Sequence, residues 1–395
     1  MKILLLAPHP FYQERGTPIA VRLLSETLAN DGHTIDLLCY HEGDDVEIHP
    51  NVTVHRSPAP PGVHSIKPGF TVKKLLCDAW MGPAAMRMAR KGHYDIVHAV
   101  EESVFMAMRI QKRTGLPYVF DMDSSMPRQI VEKLPCMRPV LGTMCALERR
   151  AIRRAAAVVP VCDYLADIAR ESGARQIAIL RDVPMGDDHD AADSASLDLP
   201  QLDSPLFLYV GNLERYQGID LMIDAFDRHC AGGGAGSLLI VGGAAGDVEA
   251  YRKKALQLNS ADRIVLTGPR PVAQLPLLLK QADILVSPRI KGGNTPMKVY
   301  SYLASGKPVL ATTIDSHTQV MTPDIALLAD PTPKAFAAGM TTLASDPDHA
   351  RALGEAGAAR ARKDFSLTAY RQIVHGLYTA LASIPNSAAQ RTLSH

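Results

Sequence analysis

The chain has almost no surplus charge: 42 Lys and Arg stand against 41 Asp and Glu, a formal net charge of +1. That excludes a general nucleic-acid binder, which needs a basic excess to neutralise a phosphate backbone. Its six cysteines (Cys39, Cys77, Cys136, Cys145, Cys162, Cys230) are scattered, without a Cys-x-x-Cys pair. A disulfide frame or zinc site is not built that way, and the expectation is reduced thiols in a cytoplasmic protein. There is no run of about 20 apolar residues, so nothing reads as a membrane span. The apolar opening Met1–Ala7 is too short for a signal peptide and ends at Pro8-His9-Pro10; it reads as a buried parallel strand. A tandem repeat of roughly 20–50 residues is absent. So is Gly-x-Gly-x-x-Gly after the first strand, which argues against a dinucleotide oxidoreductase.

What is present is an alternation of strands and helices over 395 residues, too many for one ordinary core. Predicted strands are Thr34–Cys39, Val52–His55, Tyr94–Ala99, Pro117–Asp123, Ala156–Val161 and Ile177–Leu180, then Leu206–Gly211, Ser237–Gly242, Ile264–Thr267, Ile284–Ser287 and Pro308–Ala311. After the first strand, a loop with Arg15-Gly16-Thr17-Pro18 opens a helix whose face carries Ile19, Leu23, Leu24, Thr27 and Leu28. Residues 58–69 form a Pro- and Gly-rich loop. Residues 186–204, rich in Asp, Ala and Ser, read as a linker. The expected class is α/β: two Rossmann-like parallel-sheet domains, 1–185 and 205–370, facing across a cleft. The segment from about Ala350 to Ile384 is largely helical, and the helix and tail of 371–395 are expected to pack back on the first domain.

One stretch points to chemistry. Gly292-Gly293-Asn294-Thr295-Pro296-Met297-Lys298 reads as a loop opening a short helix that closes at Gly306. Thr295 is a fitting N-cap, Pro296 suits the first helical position, and Gly306 suits the stop. Lys298 then sits in the first turn, with Arg289 and Lys291 upstream. Cations gathered at an already positive helix end fit a phosphate or diphosphate.

Several blocks, in order, resemble the retaining glycosyltransferases of the GT-B fold, the group 1 or family 4 class. They are Met1–Ala7 with Gly16-Thr17; Asp95-Ile96-Val97-His98; Tyr209–Leu213 with Gln217–Phe226; Leu239–Gly243; Ile264–Gly268; Ala282–Pro288; and Ala304–Val309. The resemblance implies transfer of a sugar from a nucleotide diphosphate sugar to a glycan or lipid-linked acceptor, with no cofactor or metal required, in polysaccharide biosynthesis. By position it places Gly16 at the donor diphosphate, Gly268 and Arg270 near the base, and backbone amides of Asn294, Thr295, Pro296 and Met297 at the sugar and diphosphate. The chain also departs from the pattern. The positions of the family's Glu-x7-Glu pair hold Gly293 and Ser301. Its phosphate-binding Arg and Lys fall on Asn212 and Gln217, and its sugar-side His falls on Asp123. Arg215 and Lys298 are the expected catalytic cations in their place. A catalytically silent member that binds a nucleotide sugar or a partner is the alternative. A nucleotide-sugar epimerase lacks a convincing acid–base pair.

Asp123 either works on the acceptor hydroxyl, bonds the sugar, or caps the next helix. His98 and Glu102, beside Glu101, are placed on the acceptor side or as buried satisfied polar groups, with no metal reading; His9 is placed to line the cleft, and His317 is expected to be structural. Lys67, Lys73, Lys74, Arg149, Arg150, Arg153 and Arg154, with Phe70, Leu75, Leu76, Trp80, Met81, Met86 and Met88, make either a peripheral contact with the inner membrane surface or an ordinary helix with one wet face.

Overall fold

The computed structural model describes residues 1–14, 16–66, 71–185 and 197–383. Arg15, Lys67, Phe70 and residues 186–196 of the predicted linker lie outside the described residues. The chain divides into two compact units: Met1–Arg181 together with the chain from Tyr370 onward, and Asp182–Ala369.

The first unit is built on β1 (Lys2–Ala7), β2 (Thr34–Cys39), β3 (Val52–Arg56), β4 (Ile96–Val100), β5 (Tyr118–Met122) and β6 (Ala157–Pro160), in the order β3-β2-β1-β4-β5-β6. The second has β7 (Leu206–Val210), β8 (Ser237–Val241), β9 (Ile264–Gly268), β10 (Ile284–Ser287), β11 (Val309–Thr312) and β12 (Leu327–Ala329), in the order β12-β11-β10-β7-β8-β9. All paired strands run parallel. Counted from its own first strand, each sheet has the same doubly wound order. Its switch point lies between β1 and β4, or between β7 and β10, and ligands bind beyond the strand ends there. β4, β8 and β10 are buried along their whole length, and β1 and β7 at all but one end residue, as sheets covered on both faces require.

The elements differ from expectation in five places. Ile177–Leu180 runs along β6 through the bridge Val158 to Ile177 and the bonds from Ala178 N to Val158 O and Leu180 N to Pro160 O, without being a regular strand. β12 is an additional strand of just three residues. The first helix, Gly16–Asn30, turns Val21, Leu24, Ser25 and Leu28 to the core and leaves Ile19 and Leu23 half-buried. The described part of the predicted linker is not loose: Leu197, Leu199 and Leu202 pack on the core of the second unit, and Arg270 Nη2 donates to Asp198 O at 3.0 Å. The C-terminal helical run is two helices, Pro347–Asp364 and Leu367–Ala382. The latter is anchored in the first unit, where the buried Tyr378 hydroxyl lies 2.7 Å from His98 Nδ1. Among the described residues no helix is long and apolar enough to cross a membrane.

Candidate active site

At the second unit's switch point, the loop after β7 (Gly211 to Gly218) and the loop after β10 (Pro288 to Pro296) are locked together by backbone. Ile290 N donates to Tyr216 O at 2.9 Å. Gly218, with φ +74°, is so close to the other loop that a Cβ there would lie 1.9 Å from Pro288 O. Gly211 N donates to Val241 O at 3.0 Å, and Gly242 N to Gly268 O at 2.8 Å, which ties the ends of β7, β8 and β9 into one layer. A Cβ on Gly242 would sit 2.1 Å from Gly211 O. Only glycine lets backbone approach backbone in this way.

Lys298 leans into this layer from the helix Met297–Ala304. Its Nζ lies 3.7 Å above the centroid of the Tyr209 ring and 3.5 Å from Gln217 Oε1. The Tyr209 hydroxyl is turned away and donates to Asn212 O at 2.7 Å. Among the described residues no carboxylate pairs with Lys298; burial, with the Arg289 charge nearby, pushes its ammonium well below the ordinary lysine range. Below it a buried relay fixes the floor: Ser287 Oγ lies 2.9 Å from His317 Nε2, and His317 Nδ1 lies 2.9 Å from Thr312 O. Burial pushes His317 down to about 3, with Lys298 and Arg289 acting in the same direction. His317 is therefore neutral and structural, and the site's charge rests on lysine and arginine.

The loop residues take places that the sequence pattern misassigned. The helix begins one residue later than expected: Pro296 is the N-cap, without a side-chain cap, and Thr295 precedes it. Thr295 Oγ1 is buried and has no hydrogen-bond partner among the described residues. Gly306, φ +73°, follows the helix as predicted. Arg289 is a brace: its Nε donates to Lys291 O at 2.7 Å, its Nη1 to Asn294 O at 2.9 Å, and its guanidinium stacks on Tyr216. Lys291 is exposed. Gly293 O accepts from Gln319 Nε2 at 2.7 Å, and Ser301 Oγ accepts from Met185 N at 2.8 Å. Arg215 is exposed two residues before the buried Gln217, in the same short turn, and its guanidinium makes no hydrogen bond among the described residues. Gly268, φ +76°, has open space where a Cβ would be, and Met297 is half-buried. Arg289 was expected as a cation at the helix start and is found bracing its own loop; Tyr209 and Gln319 were missed as site-builders, since each acts across a sequence gap and leaves no local signal.

In the first unit, Gly16 opens its helix at φ +24° with open space beside its Cα. Asp123 is half-buried just past the end of β5, two residues before Ser125, the N-cap position of the next helix, Met126–Lys133. His98 is a correction. It is fully buried in β4, with Nδ1 on Tyr378 and Nε2 3.2 Å from Asp121 Oδ2, so it offers no free edge to an acceptor. Glu102 is another: it is ion-paired to the buried Lys74, and Glu101 Oε2 lies 3.9 Å from the same ammonium. Burial and the neighbouring Glu102 push Glu101 up to about 7. His9 is buried after β1, its Nδ1 3.2 Å from Pro10 O. Tyr378→Phe should therefore cost about 1–3 kcal/mol by orphaning His98 Nδ1. Chemical denaturation would show that loss, while the acceptor KM stays within twofold of wild type, taken as about experimental scatter.

Comparison with known proteins now assigns the class. Residues 197–360 match the family profile "Glycosyl transferases group 1", and residues 15–181 match "Glycosyl transferase 4-like domain". The chain belongs to the group 1 glycosyltransferases, nucleotide-sugar-dependent enzymes of the GT-B fold. It is 26% identical over 284 residues to 2-deoxystreptamine glucosyltransferase of Streptomyces kanamyceticus, covering 66% of this chain and 70% of that one. In fold it is similar to sucrose-phosphate synthase from Thermosynechococcus elongatus (TM-score 0.78, 22% identity, 97% of this chain and 100% of that chain). It is also similar to Anabaena HepE in complex with UDP-glucose (TM-score 0.69, 13% identity, 96% and 100%).

Proposed function

We propose that the chain is a retaining glycosyltransferase that moves a sugar from a nucleoside diphosphate sugar to a glycan or lipid-linked acceptor, with no metal, and that Lys298 is the cation that receives the departing diphosphate. The observation that carries this is the position of Lys298 Nζ, 3.5 Å from Gln217 Oε1. Gln217 stands where the family resemblance expects a phosphate-binding lysine. The missing charge is thus supplied from the helix Met297–Ala304 and arrives beside the vacated position.

The chemistry follows from charge. As the bond from the anomeric carbon to the diphosphate oxygen breaks, its electron pair stays on the phosphate, and prepositioned donors are worth most where that charge grows. Helix geometry leaves the N–H groups of Met297 and Lys298 without intrahelical acceptors. The positive helix end adds to them, and so does the buried Thr295 hydroxyl. Burial lowers the pKa of Lys298, and pairing with a diphosphate would raise it again. Arg215 is the second, more exposed cation, and Asp123 is the first-unit carboxylate proposed to meet the acceptor or the sugar. Gly16, Asn212, Gly268, Arg270, Gly293, Asn294 and Ser301 complete the proposed donor contacts. HepE is described with UDP and UDP-glucose, and the Streptomyces relative is named a glucosyltransferase; UDP and glucose are therefore the first donor chemistry to test.

A thermal-shift panel of UDP, GDP, ADP, CDP and dTDP tests the reading. Ligand at about 100 times its Kd stabilises the folded state by about 2.7 kcal/mol. One nucleotide, UDP first, should raise the midpoint clearly, and its sugar conjugate should be consumed slowly in water. A flat panel at millimolar concentration would contradict a donor site formed before the acceptor arrives.

A further inference from the structure

The helix Val72–Lys91 has two apolar faces where a surface helix needs one. Its inner stripe, Cys77, Met81, Ala85 and Ala89, is buried in the core of the first unit. Its first turns carry a second stripe on the outside: Val72 is 72% exposed, Leu75 49%, Leu76 42% and Trp80 40%. Residues 72, 76 and 80 step by four, so they stand in one row, and Leu75 widens it. A second exposed apolar set, Leu134, Val140 and Leu147, lies in the segment entering and forming the helix Leu141–Arg154.

The topology brings both sets to one border. Lys74 reaches Glu101 and Glu102, which directly follow β4, so the start of Val72–Lys91 lies at the carboxyl edge of the sheet. Ser125 follows β5 and its Oγ donates to Glu148 Oε2 at 3.0 Å, which puts residue 148 and the turns before it at the same edge. Both helices pack against Val104–Thr114 on one face of the sheet, one on either side of it. Exposed cations near these two sets include Lys73, whose Nζ donates to His64 O, and Arg138, Arg149 and Arg150, and none of these four has a carboxylate partner among the described residues. The expected basic group is trimmed: Lys74 is spent on Glu102, Arg153 Nε donates to Ser172 O, and Met81 is core.

We propose that this border is a docking surface for an anionic lipid bilayer. Val72, Leu75, Leu76 and Trp80 enter the headgroup layer, while Lys73, Arg138, Arg149 and Arg150 face the acidic headgroups. An apolar row alone would suit any partner. Cations without carboxylate partners, interleaved with leucine and tryptophan, match the layered chemistry of a lipid interface, where amphipathic rings and basic side chains settle together. The surface belongs to the first unit alone and does not depend on which sugar is moved.

Trp80 is the chain's single tryptophan, so the native protein reports on its own surface. With phosphatidylglycerol-containing vesicles at low salt, the full chain should co-sediment and its tryptophan emission should shift to the blue. With pure phosphatidylcholine, or at high salt, both effects should shrink. L75S/L76S and R149E/R150E change exposed residues only, and each should weaken partitioning at least about tenfold while the donor-induced thermal shift is kept. Absence of sedimentation at low salt would overturn the proposal. So would sedimentation with unchanged Trp80 emission, which would mean that another face binds. A concentration-dependent dimer that protects Trp80 without lipid would assign the row to a second copy of this chain.

Discussion

Lys298→Met should lower the rate of sugar transfer about 100- to 1,000-fold, the range for removing one preorganised donor from a developing oxyanion. The same change should raise the melting temperature of the ligand-free protein. Both effects have one cause. Lys298 has Tyr209 and Gln217 for neighbours and no carboxylate among the described residues, and burial holds its ammonium well below the ordinary range. The ligand-free fold carries that cost, and methionine of similar length fills the space without it. A lysine serving stability would give the opposite pair of results, with activity retained and the melting temperature lowered. Initial rates and calorimetry on the purified variant decide between them. Turnover within about threefold of wild type would remove Lys298 from the chemistry.

Gly218→Ala should cost about 3 kcal/mol or more and abolish donor binding. The residue has φ +74°, and the added Cβ would come 1.9 Å from a backbone oxygen, Pro288 O, which cannot rotate away. The chain must open the contact between the loops after β7 and β10, which carry Gln217 and Arg289. Gly268→Ala is the control. Its φ is +76° but nothing lies within 4 Å of the new methyl group, so only the conformational strain of about 1 kcal/mol applies. Urea denaturation of both variants measures the gap, and equal losses would mean that the inter-loop contact carries no weight.

The strands most legible in the sequence were those of continuous apolar character. Ile284–Ser287 was bounded to the residue because a strand buried on both faces is a mainly apolar run that stops where the loop begins; Thr34–Cys39 was bounded as well although Asp36 interrupts its apolar run and is held by His55 and Tyr94. Leu327–Ala329 left no signal, since three residues cannot show a period. Thr295-Pro296 was misassigned by one position because Thr–Pro is locally compatible with either placement, and the choice is made by the tertiary setting of the loop. The loop that opens the helix of Lys298 was legible from glycines, cations and a helix start lying in one short stretch. Its partners were not: Tyr209 and Gln217 come from the preceding domain strand and loop, and only the fold brings them under the lysine. His98 misled for the opposite reason. A polar residue near the end of a strand resembles a site residue until the C-terminal helix, from the far end of the chain, supplies Tyr378 as its partner.

The central claim is that Lys298 holds the donor's diphosphate. Its lowered pKa must rise when the anion binds, so affinity should fall as pH rises through the ligand-free value, and binding should draw protons from the buffer. Isothermal titration of UDP, or of whichever nucleoside diphosphate stabilises the protein, in two buffers of different ionisation enthalpy at mildly alkaline pH reads this directly. Wild type should take up a fraction of a proton per site. Lys298→Met should take up none and bind at least about tenfold more weakly. The same proton balance and affinity in both proteins would contradict the assignment of the diphosphate to this lysine.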